Sequence, residues 1–97
     1  MMIRFEWDEE KNLVNQKKHH LSFETASLVF DDPLHRSIFD QIVDREERWK
    51  TICLVQGLAM VVVAHTYRED DGEIVIRIIS ARRTTRHERR KYEEETG

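Results

Sequence analysis

Cationic side chains cluster in one short stretch near the end of the chain. Residues 77–92 hold six arginines and one lysine against a single glutamate, which is a net charge of +6. The whole chain of 97 residues carries −3, so the other residues together carry −9. A guanidinium group binds phosphate through two parallel hydrogen bonds and stays charged at any pH. The stretch therefore indicates an anion-binding site, and a phosphodiester is the ligand that we expect there.

RNA cleavage is the chemistry that such a site could perform. RNA supplies its own nucleophile, the 2′-hydroxyl, so an enzyme need only orient it, neutralise the pentavalent phosphorane and move protons. Clustered arginines with a lysine or histidine and a hydroxyl would suffice, without a metal. Arg68 and Arg77 come together if residues 69–72 close a hairpin. Strict alternation puts Arg77 and Ser80 on opposite faces of their strand, so they share a site only if that strand twists or bulges.

Other catalytic signatures are missing from the sequence. Its three glycines fit neither a dinucleotide-binding loop nor a P-loop. The adjacent histidines His19 and His20 would point about 100° apart on a helix, which makes them a poor chelate. We therefore expect no metal and no cofactor. Cys53 lies in an apolar run and is expected to be a small buried hydrophobic residue.

The location of the protein is expected to be the cytoplasm. The first residues turn acidic at once and do not resemble a signal peptide. The longest apolar run is too short to span a bilayer, so no membrane partner is expected.

Two other interpretations of the arginines remain open. In the first, the protein is a non-catalytic module whose basic C-terminal segment binds nucleic acid or an acidic protein, with a strong dependence on salt. In the second, the arginines are structural and extend to solvent or pair with Asp40, Asp44 or Glu47, because a long cation rarely faces a core. A structure with Arg68 and Arg77 bridged to carboxylates, away from any cleft, would favour that second interpretation.

Periodicity and helix caps predict the elements of the first third of the chain. Alternation predicts a strand over residues 3–7. Asp8 caps a helix over about residues 9–18, although Leu13 and Val14 are its only apolar side chains. Ser22 caps a second helix over residues 23–30, which has the spacing of a buried face.

The remaining elements are mostly strands. Strands are predicted over residues 35–42, 45–56, 58–68 and 73–82, with turns at Gly57 and at residues 69–72. Thr85 and Glu88 form a capping box that begins a helix to about residue 95. The order predicts a small single α+β domain over residues 1–97. It has an antiparallel sheet of three or four strands, two N-terminal helices on one face and a C-terminal helix.

Four motifs together resemble the BrnT family of toxins from type II toxin–antitoxin systems. They are FEWDEEKNLVNQKKH, LSFETASLVFDDP, EERW and IRIISARRTTRHERRKYEE, which cover nearly the whole chain in the family's order. The opening W-D-x-x-K-x-x-x-N and the closing R-I-I-S-A-R…E-R…Y are specific when they occur together. The chain departs from the family at His20, where glycine is usual. Glycine suits the left-handed residue that ends a helix.

The resemblance implies a ribonuclease with a fold like that of the RelE toxins. It implies an RNA substrate and neutralisation by a cognate, BrnA-like antitoxin in a toxin–antitoxin heterotetramer. In this family the antitoxin carries the DNA-binding domain, so operator DNA would be contacted only through it.

The resemblance also implies roles for individual residues. Arg68 and Arg77 would clamp the transition state, Lys18 or His19 would move a proton, and Ser80 with Arg82 would hold the scissile or an adjacent phosphate. The candidate catalytic residues are thus Lys18, His19, Arg68, Arg77, Ser80 and Arg82. The candidate RNA-binding residues are Arg48, Arg83 and Arg86.

Overall fold

The computed structural model describes residues 2–55 and 59–96, and the turn predicted at Gly57 lies outside them. The elements in chain order are β1 (Ile3–Glu6), α1 (Glu9–His19), α2 (Phe23–Ser27), a 3₁₀ turn (Leu28–Asp31), β2 (Arg36–Val43), β3 (Glu46–Val55), β4 (Ala59–Thr66), β5 (Arg68–Asp70), β6 (Glu73–Arg83) and α3 (Arg86–Thr96). The predicted α+β class and its helices are confirmed, although the second α-helix is shorter because its last turn is 3₁₀. No helix in these residues is long and apolar enough to cross a membrane.

The strands of the described residues form one mixed sheet of six, in the order β1-β6-β4-β3-β2, with β5 also pairing with β6. Strand β1 runs parallel to β6, and the other pairs are antiparallel. The predicted antiparallel sheet of three or four strands is therefore wrong. Parallel pairing needs a long crossover, and the chain between β1 and β6 supplies one. Strand β5 was missed because its last two residues fall within the predicted turn.

Two tight turns place non-glycine residues in the left-handed region. Asp71 and Gly72 join β5 to β6 with φ of 51° and 82°. Asp44 and Arg45 join β2 to β3 with φ of 50° and 65°. Two positive φ values in succession match the twist of a two-residue hairpin. The turn predicted over residues 69–72 is thus confirmed at its second half only.

The main core lies between one face of the sheet and the segment of α2 and the 3₁₀ turn. Phe23, Ala26 and Val29 are buried there, as the spacing of the second helix predicts. Cys53 is 1 % exposed in the same cluster. Burial raises the pKa of its thiol to about 11, so the thiolate is scarce near neutral pH. The prediction of a buried, hydrophobic cysteine is confirmed.

Helix α1 is attached to its neighbours through buried asparagine side chains, and its apolar side chains take no part. Its apolar side chains, Leu13 and Val14, are exposed, whereas Asn12 and Asn15 are buried. The helix begins at the cap Asp8, whose side chain accepts a hydrogen bond from the Glu10 amide at 2.9 Å. The first helix therefore depends on hydrogen bonds to its neighbours for its place on the sheet.

Candidate active site on the open face of the sheet

The sheet face opposite the main core carries the charged side chains. Alternation along β3 points Cys53 into the core and places Glu46, Arg48 and Lys50 on the other face. Lys50 lies opposite Ala64 of β4, which in turn lies opposite Ser80 of β6. We call this side, which carries Glu46, Arg48, Lys50, Ala64 and Ser80, the open face.

A bulge in β6 brings Arg77 and Ser80 onto the open face together. Ser80 pairs with Ala64 and Ile78 pairs with His65, so Ile79 is an extra residue between them. An extra residue reverses the alternation, so side chains three apart point the same way. The bulge that Arg77 and Ser80 need in order to share a site is therefore present.

Arg77 and Arg48 share one carboxylate on the open face. Arg77 Nη2 donates to Glu46 Oε1 at 2.6 Å, and Arg48 Nη2 lies 3.5 Å from the same oxygen. Arg48 Nε and the hydroxyl of the opposite residue, Thr66, are buried without a hydrogen-bond partner in the part of the chain that the structure describes. Two guanidinium groups around one anionic oxygen, with spare polar groups beside them, form an arrangement that phosphate also fits.

Arg68 lies beside Arg77 and is also paired. It pairs opposite Val75, two residues before Arg77 on the same face, as the hairpin predicts. Its Nη1 donates to Glu6 Oε1 at 2.8 Å. That hydrogen bond lowers the pKa of Glu6, and the charges of Arg68, Arg4 and Arg77 lower it further. Arg68 and Arg77 are thus both bridged to carboxylates, as the structural interpretation predicts, but the partners are Glu6 and Glu46 instead of the predicted Asp40, Asp44 or Glu47.

Ser80 and Arg82 line a polar cavity of about 290 Å³ on the open face. Asp40 and Lys50 also line it, with 3.6 Å between their carboxylate oxygen and ammonium nitrogen. Arg82 donates through both Nη atoms to the Glu88 carboxylate, at 2.8 and 3.0 Å. This pairing, with help from the Thr85 amide, lowers the pKa of Glu88 to about 2.

Lys18 and His19 approach Ser80 from the edge of the sheet. They lie in the last turn of α1 and line a second cavity, of about 390 Å³, together with Ile79 and Ser80. Ser80 lines both cavities. The structure therefore brings Lys18 and His19 to one side of Ser80 and Arg82 to the other.

Arg83 and Arg86 do not join this group. Arg83 pairs opposite Val61, whose side chain is in the main core, so it lies on the other face from Arg82. Arg86 is the exposed first residue of α3. Neither lines the two cavities around Ser80. Their predicted RNA-binding roles stay predictions.

Glu46, Lys50 and Thr66 were not predicted as site residues. A signal for two of them was present, because alternation in E-E-R-W-K puts residues 46, 48 and 50 on one face. Alternation does not show whether this face is the core face or the open face, because that depends on packing against distant residues. Trp49 lies on the other face and packs edge-on against Phe39, with 5.6 Å between the ring centroids.

His65 is a buried histidine outside the site. It is 2 % exposed, on the core side of β4. Its Nε2 lies 2.6 Å from the Thr51 hydroxyl, and its Nδ1 lies 2.9 Å from the Thr66 carbonyl oxygen. The carbonyl can only accept, so Nδ1 carries the proton and Nε2 accepts from Thr51. Burial lowers the pKa of His65, so the neutral ring is part of the core. Within the described residues, no group of three or more His, Cys, Asp or Glu side chains could hold a metal.

Fold and site together define a class, a small α+β protein with several paired arginines on the open face of its sheet. The family model described as "Ribonuclease toxin, BrnT, of type II toxin-antitoxin system" matches residues 7–88. The chain belongs to this family. The resemblance and the predicted enzyme class, a ribonuclease, are thereby confirmed. Membership of a type II system implies an RNA substrate and an antitoxin partner.

A solved structure has a similar fold. It is the 1.1 Å crystal structure of the ribonuclease toxin BrnT from Brucella abortus, with a TM-score of 0.61. The two chains are 24 % identical, and the match covers 89 % of this chain and 100 % of that one. At this identity the similarity establishes the fold. A comparison with curated proteins found no match.

Proposed function

We propose that this protein is an endoribonuclease toxin that cleaves RNA without a metal, through attack of a 2′-hydroxyl on the neighbouring phosphate. The observation that carries this proposal is the bulge at Ile79. It puts Arg77, paired with Glu46 beside Arg48, on the same face as Ser80. The side chains around this bulge include the cations, hydroxyl and proton carrier that the reaction requires.

The charge of the transition state is the main demand on the site. A pentavalent phosphorane gains negative charge, and fixed guanidinium groups stabilise it in the way that a metal does elsewhere. In the proposed mechanism the phosphate displaces the Glu46 carboxylate from Arg77 and Arg48, while Arg68 adds positive charge from the neighbouring strand. Ser80, Arg82 and Lys50 hold an adjacent phosphate in the polar cavity.

Two protons must move in this reaction. One leaves the attacking 2′-hydroxyl, and one reaches the 5′-oxygen of the leaving group. Lys18 or His19, which share a cavity with Ser80, is the proposed proton carrier.

The proposed partner is a cognate antitoxin that neutralises the toxin in the cytoplasm, in a toxin–antitoxin heterotetramer. Family membership supports this proposal. Operator DNA would be contacted through the antitoxin.

The test is cleavage of total RNA in EDTA by purified, antitoxin-free protein. Arg77→Ala is compared with Arg89→Ala, which removes the same charge from a surface pair with Glu93 on α3. We expect cleavage by the wild type and by Arg89→Ala. Arg77→Ala should lose at least about 100-fold in kcat, the usual effect of removing one transition-state donor.

The binding-module alternative predicts a different pattern. Neither free RNA nor messenger RNA on translating ribosomes would then be cleaved, and Arg89→Ala would weaken a salt-sensitive binding while Arg77→Ala would not. The structural alternative is also consistent with the bridging of Arg68 and Arg77 to carboxylates. It predicts that Arg77→Ala lowers stability and leaves cleavage intact.

A further inference from the structure

Asn15 joins α1 to the strand that carries Ser80. Its side chain accepts a hydrogen bond from the Ala81 amide at 3.2 Å and donates to the Ala81 carbonyl at 2.8 Å. It also donates to the Leu21 carbonyl at 2.8 Å. Strand β1 pairs with β6 only as far as Arg77. Beyond that point the Asn15 amide bonds the edge of β6 as the peptide group of a neighbouring strand would.

The position of this contact links the two halves of the candidate site. Ala81 stands between Ser80 and Arg82 in β6. On the helix, Lys18 and His19 follow Asn15 by three and four residues, so all three side chains lie on one face. Asn15 also lines the cavity that Lys18, His19 and Ser80 share.

We propose that Asn15 is a positioning residue, which holds α1 against β6 so that Lys18 and His19 reach the phosphate bound near Ser80. The inference rests on the proposed function. Because the apolar side chains of α1 are exposed, little apolar packing replaces this contact. Small displacements of a reacting group from its productive geometry cause large losses of rate. This asparagine is the last residue of the W-D-x-x-K-x-x-x-N motif, for which the sequence alone predicts no chemical role.

Asn12 provides a matched control. It is a buried asparagine one turn earlier in α1, but it bonds α2 instead of β6. Its side chain accepts from the Phe23 amide at 2.8 Å and donates to Glu24 at 2.7 Å. Asn12→Ala therefore removes the same kind of group from the same helix without breaking the contact to β6.

The experiment compares RNA cleavage by Asn15→Ala and Asn12→Ala at a temperature where circular dichroism shows both folded. We expect kcat to fall at least tenfold in Asn15→Ala with KM little changed, because the arginines that bind phosphate remain. Asn12→Ala should stay within threefold of the wild type. Equal kcat values for the two variants would overturn the assignment.

Asn15→Asp adds a second measurement, the pH dependence of kcat, which would not change if Asn15 only stabilised the fold. A protonated carboxyl can donate to the Ala81 carbonyl and accept from its amide, whereas the ionised form loses the donor. Burial, the Ala81 and Leu21 carbonyl oxygens and the nearby carboxylates of Asp8 and Glu10 raise the pKa of this carboxyl, against the positive charges of Lys11 and Lys18 in the same cavity. The ratio of Asn15→Asp to wild-type kcat should therefore rise as the pH falls from 8 to 5, and a flat ratio would contradict the role.

Failure of the proposed function would be visible separately. Absence of wild-type cleavage on both free and ribosome-bound RNA would overturn that function, and with it the catalytic role of Asn15. Hydrogen exchange would still test whether the hydrogen bonds between Asn15 and Ala81 form. The Ala81 amide should exchange slowly in the wild type and Asn12→Ala and quickly in Asn15→Ala, and slow exchange in all three would show that the contact does not form.

Discussion

Glu46→Gln should tighten RNA binding while slightly weakening the fold. The Glu46 carboxylate occupies the position between Arg77 and Arg48 that the proposed mechanism gives to phosphate. RNA must therefore displace it, and the free energy of the ion pair is lost on binding. A glutamine keeps an acceptor oxygen for Arg77 but no charge, so phosphate displaces it more easily.

The size of the effect follows from the exposure of the pair. The Arg77 and Glu46 side chains are 39 % and 37 % exposed. Pairs open to water contribute about 0.2–1 kcal/mol, since solvent and salt screen them. The free energy of unfolding should fall by no more than about 1 kcal/mol. An equal gain in RNA binding corresponds to about a fivefold lower Kd.

Fluorescence anisotropy with a short labelled RNA measures this change, provided that 2′-deoxy substitutions block cleavage. The control is Glu47→Gln, which alters the net charge equally but lies on the other face of β3, opposite Ile42. We expect Glu46→Gln to lower Kd about two- to fivefold more than Glu47→Gln. Equal effects would show that only net charge matters. Weaker binding by Glu46→Gln would show that Glu46 orients the arginines for RNA, and the displacement mechanism would be refuted.

Two further predictions concern stability. His20 ends α1 with φ of 57°, so His20→Gly should relieve about 1 kcal/mol of strain and raise Tm by about 4–8 °C; calorimetry giving an unchanged or lower Tm would contradict this. Glu88→Gln should lower the free energy of unfolding at pH 7 by about 1–2 kcal/mol. The lowered pKa of Glu88 would correspond to roughly 3 kcal/mol, but solvent screens part of this because the pair with Arg82 is partly exposed. The lowered pKa of Glu88 stabilises the fold fully above about pH 4.5 and progressively less below it. The difference in free energy of unfolding between wild type and variant, measured in urea, should therefore shrink as the pH falls toward 2. A difference that stays constant with pH would exclude the charge as its cause.

Local patterns predicted the local parts of this structure. The capping box of Thr85 and Glu88 forms both its hydrogen bonds, at 2.8 and 3.2 Å. The left-handed end of α1 at His20 is also present. These features depend on residues within about four positions of one another, so the sequence contains the whole of their cause.

The parts that could not be predicted depend on distant residues. The pairing of β1 with β6 follows from the path of the chain through both helices. The bulge at Ile79 depends on how β6 fits against β4, and it decides whether Arg77 and Ser80 share a face. Helix α1 looked weakly anchored when only its apolar residues were considered, because the partners of Asn12 and Asn15 lie in other elements.

The pairing of the arginines does not by itself distinguish a structural role from a catalytic one. Unpaired guanidinium groups packed side by side on the open face would repel one another, so a phosphate-binding site needs counter-charges while RNA is absent. Glu6, Glu46 and Glu88 supply them to Arg68, Arg77 and Arg82. A phosphate in the place of a carboxylate offers each arginine a negative charge and hydrogen-bond acceptors of the same kind. An acidic protein can therefore bind a polyanion through these positions, and the decisive quantity is how easily RNA displaces the carboxylates, which Glu46→Gln measures for Glu46.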